Sequence, residues 1–196
     1  DVVTTLVLGM EVFSKVNPQA MAFIPLDKIY DHCVRSGGIA KTIATLENKD
    51  KEDIDNAVIA SILHDIGKLI LIEHFPDQYR EVVVRMKKEK CPVFKAEQKI
   101  FNVSHSQVGA YILGLWGFPD SVVEAVAFHH HPGENISNGF DLAGIVHLAD
   151  MIEYHEQYQK GTWEKLAGVD EAYVKNFGLA DRIPLWRDYL RSFRHA

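Results

Sequence analysis

Hydrophobic residues recur at helical spacing along almost the entire sequence. In the segment 27–46, Ile29, Ile39, Ile43 and Leu46 stand at roughly helical intervals after an aspartate that begins the helix. No stretch longer than four or five residues alternates hydrophobic and polar positions as a strand would. The pattern therefore predicts an all-α helical bundle.

Prolines, glycines and polar clusters divide the remainder into further helices. Ser104 and Gln107 form an S-x-x-Q capping box, which marks the beginning of one of them. The predicted helices cover about 27–46, 50–71, 76–90, 92–101, 104–116, 120–131, 141–158 and 181–194. The segment 57–71 is apolar on nearly all faces, so we expect it at the centre of the bundle.

The two ends of the sequence lead to separate expectations. Residues 1–16 begin abruptly on an apolar run without a helix cap, which is typical of the inside of a domain. We therefore expect a bundle that lacks upstream helices and exposes apolar surface near this segment. A helical domain is predicted over 1–160, with 161–196 as a helical extension packed on the same domain.

Composition restricts the function classes. The chain has 196 residues, of which 47% are hydrophobic, which suits one compact domain. Its formal net charge of −6 and the absence of a long basic run disfavour nucleic-acid and anionic-membrane binding. Two widely spaced cysteines favour a reduced, cytoplasmic setting, and no apolar run reaches the length of a membrane span.

Histidine is unusually frequent, with 10 residues in the chain. Five of them stand in or beside apolar segments, where a buried imidazole needs a polar partner. These are His64, His105, His129, His130 and His147.

The motif HDIGK at 64–68 is the strongest local sign of chemistry. On a helix, His64 and Asp65 would lie about 100° apart and could reach one cavity. An imidazole and a carboxylate form a mixed ligand pair that suits Mn, Fe, Zn, Ni or Mg. Lys68 would lie on the same face as His64 and could meet a phosphate, while Gly67 suggests that something approaches the backbone closely. The alternatives are a His–Asp hydrogen bond in the core and a lysine that extends to solvent.

Other polar residues in the sequence are equally ambiguous when taken alone. His129 and His130 could be cations at a helix end or ligands of two neighbouring metals. Asp150 lies in the apolar segment GIVHLAD, where a structural salt bridge is the alternative. His105 and His32 could be exposed surface residues.

Taken together, these residues form an ordered set that resembles the HD superfamily of metal-dependent phosphohydrolases. The set is His32, His64, Asp65, His105, His129, His130 and Asp150. The segment GAYILGLWGFP followed by HHHP resembles most closely the HDOD family, whose name marks an HD-related output domain. The resemblance covers about residues 1–155.

The resemblance implies a metal site with roles for individual residues. In the related HD-GYP phosphodiesterases, residues that match the seven-residue set hold two or three metals, and the lysine that matches Lys68 approaches the scissile phosphate. The implied cofactor here is one or two divalent ions, with Asp65 and Lys68 as catalytic residues. The HHExxDGxGYP signature of those enzymes is absent, because HPGENISNGFDLAG follows His130. Some relatives also carry an acidic residue one turn before the first histidine, and that position is Lys28 in this chain. A third metal and cyclic di-GMP as substrate are therefore disfavoured.

Two functions remain open from the sequence. The favoured hypothesis is a bacterial signal-transduction output domain that works with an upstream receiver or sensory domain or a signalling protein. The alternative is an active metal-dependent phosphohydrolase that acts on a phosphomonoester, a phosphodiester or another phosphate-bearing nucleotide ligand.

The remaining histidines receive simpler interpretations. His74, His155 and His195 are expected at the surface, and His131 at a helix end. His147, one turn before Asp150, is a candidate for holding a metal ligand in place.

Overall fold

The computed structural model describes residues 26–136, 139–158 and 168–194, and no strand occurs among them. Within these ranges the chain forms ten α-helices, with a short 3₁₀ turn at Pro132–Glu134. The helices are α1 (Leu26–Leu46), α2 (Lys51–Leu63), α3 (Ile66–His74), α4 (Pro76–Glu89), α5 (Val93–Phe101), α6 (His105–Leu115), α7 (Asp120–Phe128), α8 (Leu142–Tyr158), α9 (Glu171–Asn176) and α10 (Arg182–Arg194). The predicted all-α fold is confirmed.

Local capping explains where several helices begin. Asp50 accepts a hydrogen bond from the backbone N–H of Asp53 at 2.8 Å, which fixes the beginning of α2. The predicted capping box at α6 is present, with the Ser104 and Gln107 side chains each bonded to the other residue's backbone. These caps satisfy N–H groups that the first helical turn leaves unpaired.

The structure corrects two predicted helices at the residues that carry the chemistry. The predicted helix 50–71 is broken at His64 and Asp65, which lie between α2 and α3. The predicted helix 120–131 ends at Phe128, so His129 and His130 follow it. Hydrophobic periodicity continues through both points because the flanking residues are buried on either side, and periodicity alone does not report such a break.

Helix α2 lies at the centre of the bundle, where it packs against α1, α7 and α8. One side of the core joins α1 and α8 to the C-terminal helices, with Ile43, Ile152 and Trp186 in contact. A second cluster joins α2, α6 and α7 around Leu63, Leu113 and Val126. His64 directly follows α2, so the central helix of the core leads into the site.

The close backbone approach expected at Gly67 is present. A methyl group there would lie 2.8 Å from the backbone nitrogen of Gly109 and would overlap the carbonyl oxygen of His105. Helices α3 and α6 therefore cross with their backbones in contact, which places His105 next to Asp65.

We predict that Gly67→Ala destabilises the protein by at least about 1–3 kcal/mol, because the backbones must separate. This cost exceeds the gain in helix propensity of about 1 kcal/mol. Gly38→Ala is the matched control: Gly38 lies within α1 with no heavy atom near its Cβ position, so that substitution should stabilise the protein slightly. Urea denaturation of both variants measures the difference, and equal stability of the two would contradict the close packing.

Some expectations fall on residues that the structure does not describe. The apolar surface expected near 1–16 and the position of His195 lie outside the described ranges. The domain division at 160/161 also stays a prediction. In the described part of the chain, no helix combines the length and the hydrophobicity needed to cross a membrane.

Candidate metal centre

All seven residues of the predicted set lie together: His32 and Asp150 stand inside α1 and α8, and the other five lie at or next to helix ends. Six of them form two groups of three, and within each group the potential ligand atoms lie within 4.8 Å of one another; the seventh, Asp65, contacts both groups. The first group is His32, His64 and Asp150, and the second is His105, His129 and His130. Long-range packing thus brings together residues from α1, α6, α8 and two interhelical turns.

Contacts within each group are short. The His32 Nε2 atom lies 3.2 Å from His64 Nε2 and 3.1 Å from the Asp150 Oδ1 atom. In the second group, His130 Nε2 lies 3.0 Å from His105 Nε2. Imidazole nitrogens at such spacing converge on a common point.

Asp65 connects the two groups. Its Oδ1 atom lies 3.5 Å from His64 Nε2 and 3.2 Å from His105 Nε2. Its other oxygen, Oδ2, accepts a hydrogen bond from Lys68 Nζ at 2.5 Å. The break between α2 and α3 allows this arrangement, because it turns Asp65 away from the direction that a continuous helix would give it.

Hydrogen bonds at Nδ1 hold the rings of His64 and His129 so that their Nε2 atoms face into the site. His64 Nδ1 bonds the Ser61 carbonyl at 2.7 Å, and His129 Nδ1 bonds the Val126 carbonyl at 2.8 Å. Both carbonyls belong to the last turn of a helix, where backbone acceptors are free. Such a bond fixes the ring and leaves Nε2 available as a ligand atom.

Two carboxylates that the sequence analysis missed hold the other rings. Glu97, fully buried on α5, accepts hydrogen bonds from His105 Nδ1 at 2.6 Å and from the His105 backbone N–H at 2.8 Å. Glu153, buried on α8, contacts His32 Nδ1 and accepts a bond from Arg35 at 2.7 Å. Glu153 lies one turn after Asp150, which was a usable signal. For Glu97, its position on the apolar side of a short amphipathic helix was the only sign.

Glu97→Gln tests this support. The amide can still accept a hydrogen bond from His105 but lacks the negative charge, so we expect metal affinity to fall by about 10- to 100-fold. Isothermal titration with Mn²⁺ or Zn²⁺ measures the change. Glu89→Gln, at an exposed position paired with Lys99, should leave the affinity unaltered. Equal metal affinity of Glu97→Gln and the wild type would show that Glu97 does not support the metal site.

The electrostatic environment keeps Asp65, His129 and His130 in forms that can bind a cation. Burial lowers the pKa of His129 and of His130 well below the ordinary value, and neighbouring imidazoles lower it further. Burial would raise the pKa of the Asp65 carboxyl, but His64 and Lys68 hold it well below its usual range. These groups are therefore in the neutral imidazole and carboxylate forms that bind metals.

His32 and His105 differ from His64, His129 and His130, because their pKa values are raised. Burial would lower the pKa of His105, but the Glu97 carboxylate outweighs burial and raises it. Burial would also lower the pKa of His32, but hydrogen bonds with Asp150 and Glu153 raise that pKa to about 10. In the absence of another cation, a proton on His32 therefore neutralises part of the negative charge of Asp150 and Glu153. A metal at this position would displace that proton.

The residues fit a metal by a direct structural test. Among the described residues, only four buried side-chain polar atoms lack a hydrogen-bond partner, and two of them are Asp65 Oδ1 and His129 Nε2. Both face the space between the two groups. Such atoms cost about 1–3 kcal/mol each when unsatisfied, and coordination of a cation would satisfy both.

The other histidines give mixed results. His74 is exposed, as predicted, but His155 is buried, because it lies three residues after Ile152 on the inner face of α8. His147 is also fully buried, and its Nδ1 donates to the His129 carbonyl at 2.7 Å. Lys28, where some relatives carry an acid, is exposed and adds no ligand.

Known proteins resemble this chain in sequence and fold. The HDOD domain model matches residues 1–132. A protein of Mycoplasma genitalium named "Probable nicotinate-nucleotide adenylyltransferase/Ap4A hydrolase" is 30% identical in an alignment of 162 positions, which covers 78% of this chain and 41% of that protein. The protein of the same name from Mycoplasma pneumoniae is 26% identical, over 99% of this chain and 56% of its own length. The chain thus spans about half the length of these curated relatives.

Two solved structures share the fold. An HDOD domain protein of unknown function from Geobacter sulfurreducens has a TM-score of 0.71 at 21% identity, over 93% of this chain and 62% of its own. A protein named "Putative phosphohydrolase" from Shewanella amazonensis has a TM-score of 0.69 at 19% identity, over 92% and 66%. The fold agrees with the family model, which matches about two thirds of the sequence. The chain belongs to the HDOD family.

Proposed function

We propose that this chain is a metal-dependent phosphohydrolase built on an HDOD domain. The observation that carries the proposal is the position of Asp65 Oδ1, a buried atom without a hydrogen-bond partner that lies between two complete ligand groups. A purely structural core has no need for five inward imidazoles and the Asp150 carboxylate around such an atom. This arrangement supports a centre for two divalent ions, which Asp65 would help to hold.

Each residue has a defined part in the proposed reaction. His32, His64 and Asp150 would hold one ion, His105, His129 and His130 the other, and Asp65 both. Bound divalent ions supply Lewis acidity and lower the pKa of water. Lys68, whose ammonium is held at the site by Asp65, binds an oxygen of the phosphoryl group and stabilises its growing negative charge. The predominance of imidazole favours Mn, Fe, Zn or Ni over Mg.

The substrate class is inferred from the relatives and from the rim of the site. The two mycoplasma proteins are named in part for hydrolysis of Ap4A, a dinucleotide joined by a phosphoanhydride chain. The ring of Phe94 stacks on His130 with a centroid distance of 4.4 Å, and Lys95 lies beside it. An aromatic and a cationic group next to the ligands suit a nucleotide phosphate. The segment after His130 lacks the GYP signature, so we expect little turnover of cyclic di-GMP.

A second candidate function has its own support. The family match favours a signalling output domain attached to a receiver, a sensory domain or another signalling protein. In that case the metal would stabilise the fold rather than react. We also propose a cytoplasmic location, because two widely spaced cysteines favour a reducing compartment.

The deciding experiment combines metal analysis with hydrolysis assays. Protein purified without chelators is expected to contain up to two equivalents of Fe, Mn, Zn or Ni by elemental analysis. The metal-loaded protein should hydrolyse bis-p-nitrophenyl phosphate slowly, Ap4A faster and cyclic di-GMP poorly. Two bound metals without turnover of any of these substrates would favour the signalling function. Fast cleavage of cyclic di-GMP would overturn the proposed substrate class.

A further inference from the structure

The backbone of the paired histidines is held by a side chain from another helix. His147, fully buried on α8, donates from Nδ1 to the carbonyl oxygen of His129 at 2.7 Å. His129 lies at the C-terminal end of α7, where carbonyls lack partners within the helix. Since His130 follows directly, this one bond fixes the position of two potential ligands of the second group.

His147 is in turn held by a residue far along the chain. Its Nε2 atom accepts a hydrogen bond at 2.9 Å from the backbone N–H of Asp170. Both ring nitrogens of His147 are thereby used, one as donor and one as acceptor, which fixes its tautomer and orientation. Asp170 lies just before α9, outside residues 1–132 that the family model matches.

Several contacts fix Asp170 itself. Its carboxylate caps α9 by accepting a bond from the Tyr173 backbone N–H at 2.9 Å. The Tyr173 hydroxyl donates to Asp141 Oδ1 at 2.8 Å, just before α8 begins. The Tyr173 ring lies directly over Gly144, where any side chain would collide with it. The beginning of α9 is therefore docked tightly on α8.

From this continuous series of bonds we propose that His147 and Asp170 are positioning residues for the metal centre. The segment 170–173, through His147, holds the His129 carbonyl and so keeps the imidazoles of His129 and His130 aimed at the ions. This inference rests on the proposed metal centre for its function. It assigns a role in that centre to the C-terminal segment.

Two substitutions at position 170 isolate the hydrogen bond from the Asp170 N–H to His147. Asp170 has a φ of −70°, which proline can adopt, so Asp170→Pro removes the N–H donated to His147 while the backbone conformation remains accessible. Asp170→Ala is the matched control, since it loses the same carboxylate cap but keeps the N–H. Tyr173→Phe provides a milder variant, which loosens the docking of α9 without a proline.

Two measurements test the proposal, and the first needs no metal. In metal-free protein, the His131 amide, which bonds the Phe128 carbonyl, should exchange with solvent at least about tenfold faster in Asp170→Pro than in Asp170→Ala. Tyr173→Phe should show a smaller change of the same sign. In titrations, Mn²⁺ should bind about 10- to 100-fold more weakly to Asp170→Pro than to Asp170→Ala.

The outcomes separate the two proposals. Equal exchange and equal Mn²⁺ affinity in Asp170→Pro and Asp170→Ala, with Tyr173→Phe like the wild type, would overturn the positioning role while leaving the metal centre intact. A wild-type protein that binds no Mn²⁺, Zn²⁺ or Fe²⁺ would instead refute the metal centre. The exchange rates would then still decide whether the segment 170–173 holds the turn after α7.

Discussion

Asp65→Asn is expected to reduce phosphohydrolase activity by at least about 1,000-fold. Asparagine has nearly the same shape but lacks the negative charge that would join the two ions, and it no longer pairs with the Lys68 ammonium. Loss of one preorganised group that stabilises charge at a reaction centre costs about 100- to 1,000-fold by itself. Loss of a metal would add to that. The assay is hydrolysis of Ap4A and bis-p-nitrophenyl phosphate by metal-loaded protein, with metal content measured on the same samples.

Asp77→Asn is the matched control, because Asp77 is an exposed carboxylate on α4 with only an ion pair to Arg80. It should retain the metal content and activity of the wild type. Circular dichroism checks that both variants are folded. If Asp65→Asn kept activity within tenfold of the wild type, Asp65 would not bridge the centre and the proposed mechanism would be wrong.

Removal of bound metal should lower the melting temperature by roughly 10–20 °C. The two ligand groups lie on helices and turns that the unfolded chain does not hold together, so ions bind the folded state preferentially. Each ion at 100 times its dissociation constant contributes about 2.7 kcal/mol to the free energy of unfolding. For a chain of this size, each kilocalorie per mole shifts the melting temperature by about 2–4 °C.

The measurement is calorimetry of chelator-treated protein with and without added Mn²⁺, Fe²⁺ or Zn²⁺. Asp150→Asn should keep part of the stabilisation, because Asp150 belongs to the first group only. A variant outside both groups, such as Asp77→Asn, should show the full shift. Identical melting temperatures with and without each of these ions would refute the metal centre in either proposed function.

The sequence by itself determined the fold class and the residue types of the site. Helical periodicity depends on neighbours three and four residues away, so the hydrophobic pattern, with prolines, glycines and a capping box to mark the ends, was enough to predict α1, α4, α5, α6 and α8 to within a few residues. The close approach at Gly67 was also visible, because a glycine inside a helix needs a reason. The ordered set of histidines and aspartates became specific through its resemblance to a family, whereas each residue alone favoured an ordinary structural role.

The tertiary structure decided which atoms meet and what holds them. Long-range pairs cannot be read from the local pattern: Glu153 contacts His32 across 121 positions of sequence, and Glu97 reaches His105 from a different helix. The breaks at His64–Asp65 and after Phe128 were equally invisible, because buried flanking residues continue the helical pattern through them. Periodicity reports which face of a helix is buried. The direction of each ligand side chain depends on bonds from residues such as His147, Glu97 and Glu153, and packing alone brings these residues to the site.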